Sequence, residues 1–92
     1  MLTEAKIRML VPGDRPYNVS DGRGLCMVVN GNSRWWHFNY HFEGKPKKIS
    51  LGVWPDVSLE GYQDQANGVW VQGARERCEE ARRLIAQGVN PS

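Results

Sequence analysis

His37 and His41 stand four residues apart, which on a helix would let two imidazoles share one zinc ion. The run that holds them is not helical. Trp36, Phe38, Tyr40 and Phe42 alternate with Trp35, His37, Asn39 and His41, the period-two pattern of a strand with one apolar and one hydrogen-bonding face. On a strand the two histidines share a face but lie roughly 13 Å apart, too far for two nitrogens to meet one ion. Cys26 on a neighbouring strand could approach one of them, and a thiol beside an imidazole is a hint of nucleophilic catalysis. A flat sheet face, however, offers no pocket to exclude water and no oxyanion hole. Carboxylates do not cluster, and the turn Ser20–Gly24 lacks the Gly-Lys-Ser/Thr ending of a phosphate-binding loop. These residues predict no catalytic group, no metal site and no cofactor.

Their face predicts binding instead. After a turn at Glu43-Gly44 a second strand follows, in which Lys47, Ile49 and Leu51 alternate with Pro46, Lys48 and Ser50. Matching the apolar sides puts Trp36, Phe38, Tyr40, Phe42, Ile49 and Leu51 on one surface. The other carries Trp35, His37, Asn39, His41, Lys48 and Ser50, with Arg34 reaching round from the start of the strand. A ribbon of two or three strands is narrow enough to enter the DNA major groove. Lys45, Lys47 and Lys48 could neutralise phosphates. Asn39 could pair with an adenine edge and Arg34 with a guanine. His37 and His41 could serve phosphate or base, and Trp35 could rest on sugars, thymine methyls or an unpaired base. The alternative is a sheet face that docks a protein, because Trp35, Val28 and Cys26 would form an apolar patch there. Lysines at a hairpin turn also deter edge-to-edge aggregation, whatever else they do.

The elements that must position this face read in order. Leu2–Leu10 is a short helix with Thr3 as N-cap, ended by Pro12-Gly13-Asp14. Pro16–Val19 is a brief strand, Ser20–Gly24 a turn, and Leu25–Val29 a strand with Leu25, Met27 and Val29 on one face and Cys26 and Val28 on the other. Asn30-Gly31-Asn32 carries strong hairpin chemistry. Ala74–Gln87 is the clearest helix. Ala74, Cys78, Ala81 and Ile85 make one narrow face of small residues that can lie close on a sheet, and Gly88 is a good residue to end it. The expected fold is α+β: three to four antiparallel strands, a C-terminal helix on one face and a short N-terminal helix.

Ninety-two residues suffice for one small domain. The net charge of +2 and a pI near 8.7 decide little by themselves. Distribution decides more: between Arg34 and Ser50 four Lys/Arg and two His face one acid, Glu43. Two cysteines on opposite sides of the sheet are expected to stay reduced. No apolar run is long enough to span a bilayer and no leader pattern opens the chain, so a soluble, cytoplasmic protein with no membrane partner is expected.

The ordered set Leu2-Thr3-Glu4-Ala5-Lys6-Ile7-Arg8, Tyr17 with Ser20-Asp21-Gly22 and Gly24-Leu25, Trp36-x-Phe38-x-Tyr40, Ile49–Gly52 with Pro55–Leu59, and Ala74-Arg75-x-x-Cys78 with Ala81-Arg82 and Gly88 resembles one family. It is similar to the N-terminal arm-type DNA-binding domain of P4-like phage and pathogenicity-island integrases, which are tyrosine recombinases. The resemblance spans nearly the whole chain outside residues 60–73. It implies a sheet that enters the major groove of arm-type attachment sites on double-stranded DNA. It also implies other integrase protomers as partners in the full protein, with catalysis left to separate domains. Residues 1–92 would then be a single non-catalytic DNA-binding domain with an insertion at about 60–73. That insertion reads either as a hairpin around Asn67-Gly68 with Val69-Trp70-Val71 as its second strand, or as a short helix from Ser58 through Leu59, Tyr62 and Ala66. The helix is favoured because the residues before Asn67 are poor strand formers.

Overall fold

A computed structural model describes residues 1–92. The elements are α1 (Glu4–Met9), β1 (Tyr17–Gly22), β2 (Leu25–Asn30), β3 (Ser33–Phe42), β4 (Lys45–Val53), β5 (Tyr62–Gln63), β6 (Trp70–Val71) and α2 (Ala74–Ala86). Strands β1 to β4 form an antiparallel meander in sequence order, and β5 and β6 form a separate two-stranded hairpin. The fold is α+β, as the alternation and the helical pattern predict.

The period-two pattern of β3 sets the layers. Trp36, Phe38 and Tyr40 are buried under α2, and the Phe38 and Tyr40 rings stack with centroids 5.2 Å apart. From β2 come Leu25, Met27 and Val29, and from α2 come Ala74, Cys78 and Ala81. The small helix residues let the helix lie close on the large aromatic ones, which keeps the molecule 19 Å thick along its shortest axis. Trp36 also donates its indole N–H to the Val57 carbonyl at 2.7 Å, so the largest core side chain leaves no polar atom unpaired.

The helix ends follow the local chemistry. Thr3 Oγ1 accepts from the Lys6 N–H at 3.1 Å and caps α1. Glu4 then ties α1 to the segment after β4, accepting from the Leu59 N–H at 3.0 Å and the Trp54 indole N–H at 3.1 Å. The last turn of α2 closes with Val89 N–H to Leu84 O and Gly88 N–H to Ile85 O, with Gly88 at φ 79°. This is the Schellman arrangement that only a residue tolerant of positive φ completes readily.

Two expectations are corrected. Strand β1 runs on through the expected turn to Gly22, with a bulge between Ser20 and Gly22, and the turn itself shrinks to Arg23-Gly24. The cause is Asp21, which is buried where a turn residue would be solvated. Its carboxylate accepts from the Leu2 N–H at 2.8 Å and from Arg75 Nε and Nη2, both at 2.9 Å. The second correction concerns residues 60–73, which form the β5–β6 hairpin rather than a helix from Ser58. Asp64 Oδ1 accepts from the Ala66 N–H and Asn67 Oδ1 from the Val69 N–H, while Gly68 sits at φ 70°. Local side-chain bonds of this kind favour turns over helix and outweigh the poor strand propensity of the residues before Asn67. The hairpin is pinned to α2 by Trp70, whose indole N–H donates to the Glu76 carboxylate at 3.0 Å.

Candidate nucleic-acid interface

The sheet face opposite α2 is open. Cross-strand pairing fixes its rows: Ser20↔Cys26↔His37↔Ser50 is one, Asn18↔Val28↔Trp35↔Val53 the next, and Asn39↔Lys48 and His41↔Pro46 continue towards the β3–β4 turn. Strand β2 stops opposite Phe38, so residues 39–42 and 45–48 project beyond it as a two-stranded ribbon. The Glu43-Gly44 tip has φ of 53° and 78°, the doubly left-handed geometry whose twist suits a tight hairpin. Two strands about 4.8 Å apart make a ribbon narrower than a major groove about 12 Å wide, and its four rows, at about 3.4 Å per residue, are long enough to reach the floor of a groove about 8.5 Å deep.

Trp35, His37, Asn39, His41, Lys48 and Ser50 all lie on this face, as parity predicts. Trp35 is 41% exposed, Asn39, His41, Lys48 and Ser50 are exposed, and His37 is half-buried. Lys45 and Lys47 are exposed near the tip but pair with Phe42 and Tyr40, so they belong to the helix side of the ribbon. Arg34 does not reach round. It has the parity of Trp36, and its guanidinium donates to the carbonyls of Leu10 at 2.8 Å, Gly31 at 3.1 Å and Ser33 at 3.2 Å. Three backbone acceptors hold it against the end of α1, which makes it a brace for the fold. The apolar patch expected around Trp35 is also smaller than expected, because Cys26 is 5% exposed and Val28 half-buried.

Sequence reasoning missed Asn18 and Ser20, which join the outer face on β1. Their alternation with Tyr17 and Val19 was the available signal, hidden by an early end to the strand. No group of three or more His, Cys, Asp or Glu comes together that could hold a metal ion. No helix is long and apolar enough to cross a membrane. Both cysteines are free and buried, and burial, with Glu79 adding to it, pushes the Cys78 thiol up to about 11.

The Arm DNA-binding domain family matches residues 2–92. The chain belongs to that family. This Arm DNA-binding domain is 29% identical to an integrase of Enterobacteria phage P4 over 93 residues, which cover 98% of the chain and 18% of that relative. It is 33% identical to the prophage integrase IntZ of Escherichia coli K12, covering 98% of the chain and 20% of the relative. It is 30% identical to an integrase of Shigella phage Sf6, covering 99% and 21%. The chain thus spans about a fifth of the length of these curated relatives.

On the open face of the Arm DNA-binding domain, His37 has one distinctive property. Its Nδ1 is buried without a hydrogen-bond partner. Burial, reinforced by the nearby Lys48, holds the imidazole below its ordinary value of 6.5, so it is neutral at pH 7. The unfolded chain takes up this proton more readily than the folded one, so the favourable contribution is present above 6.5 and is lost as pH falls through the folded value. His37→Gln is therefore expected to soften the decline of Tm on the acid side of 6.5. Parallel Tm–pH curves for the two proteins would show that His37 plays no part in that decline.

Proposed function

We propose that this chain is the arm-site-binding accessory domain of a phage- or prophage-type integrase, and that residues 1–92 act as one such domain. The observation that carries this reading is the β3–β4 ribbon. It projects beyond its neighbours, fits the dimensions of a major groove, and carries hydrogen-bonding side chains on one side with lysines around its tip. In this reading the ribbon enters the groove of double-stranded DNA, Asn39 meets a base edge, and Lys45, Lys47 and Lys48 meet phosphates on the groove walls. His37, His41, Ser50 and Trp35 border the same contact. The domain would cut nothing. Its contribution would be to tether the parent protein, raising the effective concentration of the catalytic part at its own site and bridging to other protomers.

Base-reading and phosphate-binding residues have different signatures. Asn39→Ala is expected to weaken binding to a preferred duplex about tenfold while leaving random duplex nearly unaffected. Lys48→Ala should weaken both and reduce the salt slope by about one. Fluorescence anisotropy against selected and scrambled duplexes over a salt series separates the two. Equal effects of both changes on both duplexes would sink the division of labour. A salt-independent affinity would favour the alternative, a face that docks protein.

A further inference from the structure

The outer-face side chains differ in how they are held. Trp35, His37, His41, Lys48 and Ser50 make no side-chain hydrogen bond within the protein, whereas Asn39 Nδ2 donates to Cys26 Sγ at 3.4 Å. The backbone of Asn39 is held as well. Its N–H donates to the Gly24 carbonyl at 2.8 Å, just where the ribbon leaves the sheet. Gly24 sits at φ 88°, and a Cβ there would lie 2.5 Å from the Asn39 carbonyl oxygen and 2.8 Å from the Phe38 ring. The turn therefore closes tightly on Asn39, and the thiol takes one hydrogen of its amide.

We propose that Asn39 is set for base reading before DNA arrives, by a two-point clamp in which Gly24 fixes its backbone and Cys26 fixes its amide. The inference rests on the groove-binding reading above and goes further, because it names positioning residues that touch no DNA. A primary amide has two N–H groups and a carbonyl oxygen. One N–H given to Cys26 leaves the other N–H and the oxygen, which is the donor–acceptor pair that an adenine edge requires. Burial raises the Cys26 thiol above its ordinary value, so it remains neutral and does not add a negative charge to a DNA-facing surface. A thiol is a weak hydrogen-bonding group. Its effect is on orientation, removing a rotamer search that an unheld asparagine would undergo on binding.

The test uses the 92-residue chain and a duplex library randomised over about two turns of DNA, since a groove-reading module covers part of that length. Base-preference profiles are compared for the wild type, Cys26→Ala, Cys26→Ser and Asn39→Ala at one salt concentration. Asn39→Ala should flatten the preference about tenfold at one base-pair position. Cys26→Ala should flatten the same position about threefold to fivefold, leaving random-duplex affinity and salt slope unchanged. Cys26→Ser should restore it, because a hydroxyl accepts the same N–H. A packing role alone would not be rescued by a buried hydroxyl and would not single out one position. The inference is overturned if Asn39→Ala flattens a position that Cys26→Ala leaves sharp, or if serine fails to restore it. If Asn39→Ala flattens nothing while the protein still binds duplex, base reading by Asn39 falls, and the clamp with it. The Asn39 side-chain amide protons give a second readout in free protein. Their shifts should move towards free-amide values in Cys26→Ala and stay near wild type in Cys26→Ser, and no movement would also overturn the clamp.

Discussion

Asp21→Ala is expected to cost about 3–5 kcal/mol of folding free energy, enough to bring a domain of ordinary stability near its unfolding threshold. The Asp21 side chain is 5% exposed and Arg75 27% exposed, and the two meet through a bidentate pair of bonds at 2.9 Å. The same carboxylate satisfies the Leu2 N–H, and Arg75 returns a bond to the Leu2 carbonyl at 3.0 Å. Four parts of the chain converge there: the segment before α1, strand β1, helix α2 and, through Glu60, the segment leading to β5. Removing the carboxylate leaves the Leu2 N–H unpaired and strips the largely buried Arg75 of its bidentate partner, with only the Leu2 carbonyl and the exposed Glu60 remaining to it, which is the costly way to break a buried pair. The Glu60 contact cannot substitute, because its side chain is 73% exposed and such pairs contribute little.

Two controls sharpen that expectation. Asp21→Ala combined with Arg75→Met should cost less than the sum of the single changes, because neither charge is then stranded. Acid titration gives the other. Burial pushes the Asp21 carboxyl up, but the bonds from Arg75 and the Leu2 N–H outweigh it and hold the carboxyl below 3.8. The stability it supplies is therefore present above 3.8 and is lost as pH falls through the folded value. Urea midpoints should converge for wild type and variant at the acid end and diverge above it. A cost below about 1 kcal/mol at pH 7 would place the pair among ordinary surface bridges.

Asp21 also marks the limit of what the sequence discloses. The layers were legible because Trp36, Phe38 and Tyr40 keep a strict period of two and Ala74, Cys78 and Ala81 keep a helical one. Both periods act through burial, which operates on a whole face at once. The tight ends were legible too: Thr3 and Gly88 each solve a local backbone problem. Asp21 solves a distant one. Its partners are Leu2 and Arg75, 19 and 54 residues away, and a Ser-Asp-Gly string reads as a turn until those partners are known. The placement of Arg34 was hidden for a related reason. Parity already put it on the Trp36 side, but the three carbonyls that occupy it come from the end of α1, the β2–β3 turn and the start of its own strand. Of the two readings of residues 60–73 the hairpin, the less favoured one, is what forms, because the turn bonds of Asp64 and Asn67, rather than the strand residues, determine it. Of the candidate interface, the faces of β3 and β4 were legible. The hold on Asn39 was not, since it depends on a pairing register between β2 and β3 that no single strand contains.

Replacing Lys45, Lys47 and Lys48 together by alanine should lower affinity for random duplex about a hundredfold at roughly 0.15 M salt. Each lysine that neutralises a phosphate contributes about 0.9 to the slope of log affinity against log salt, so three contribute about 2.7. Extrapolated from a 1 M reference to roughly 0.15 M, that slope amounts to about two powers of ten. All three side chains are exposed and make no hydrogen bond or ion pair in the protein, so the fold should tolerate the change to within about 0.5 kcal/mol. Geometry separates them further. Lys48 stands on the outer face beside Asn39, while Lys45 and Lys47 leave the other side of the ribbon opposite Phe42 and Tyr40. A ribbon set into the groove with its outer face towards the bases has a groove wall, and hence phosphates, along each strand edge, within reach of long lysine side chains from either face. The single variants should then each remove about one slope unit. A ribbon lying flat with only its outer face against DNA would engage Lys48 alone, and the triple variant would match Lys48→Ala. Anisotropy titrations of the four variants between about 50 and 200 mM salt measure this directly. A combined loss below one slope unit would remove the ribbon tip from the phosphate backbone altogether.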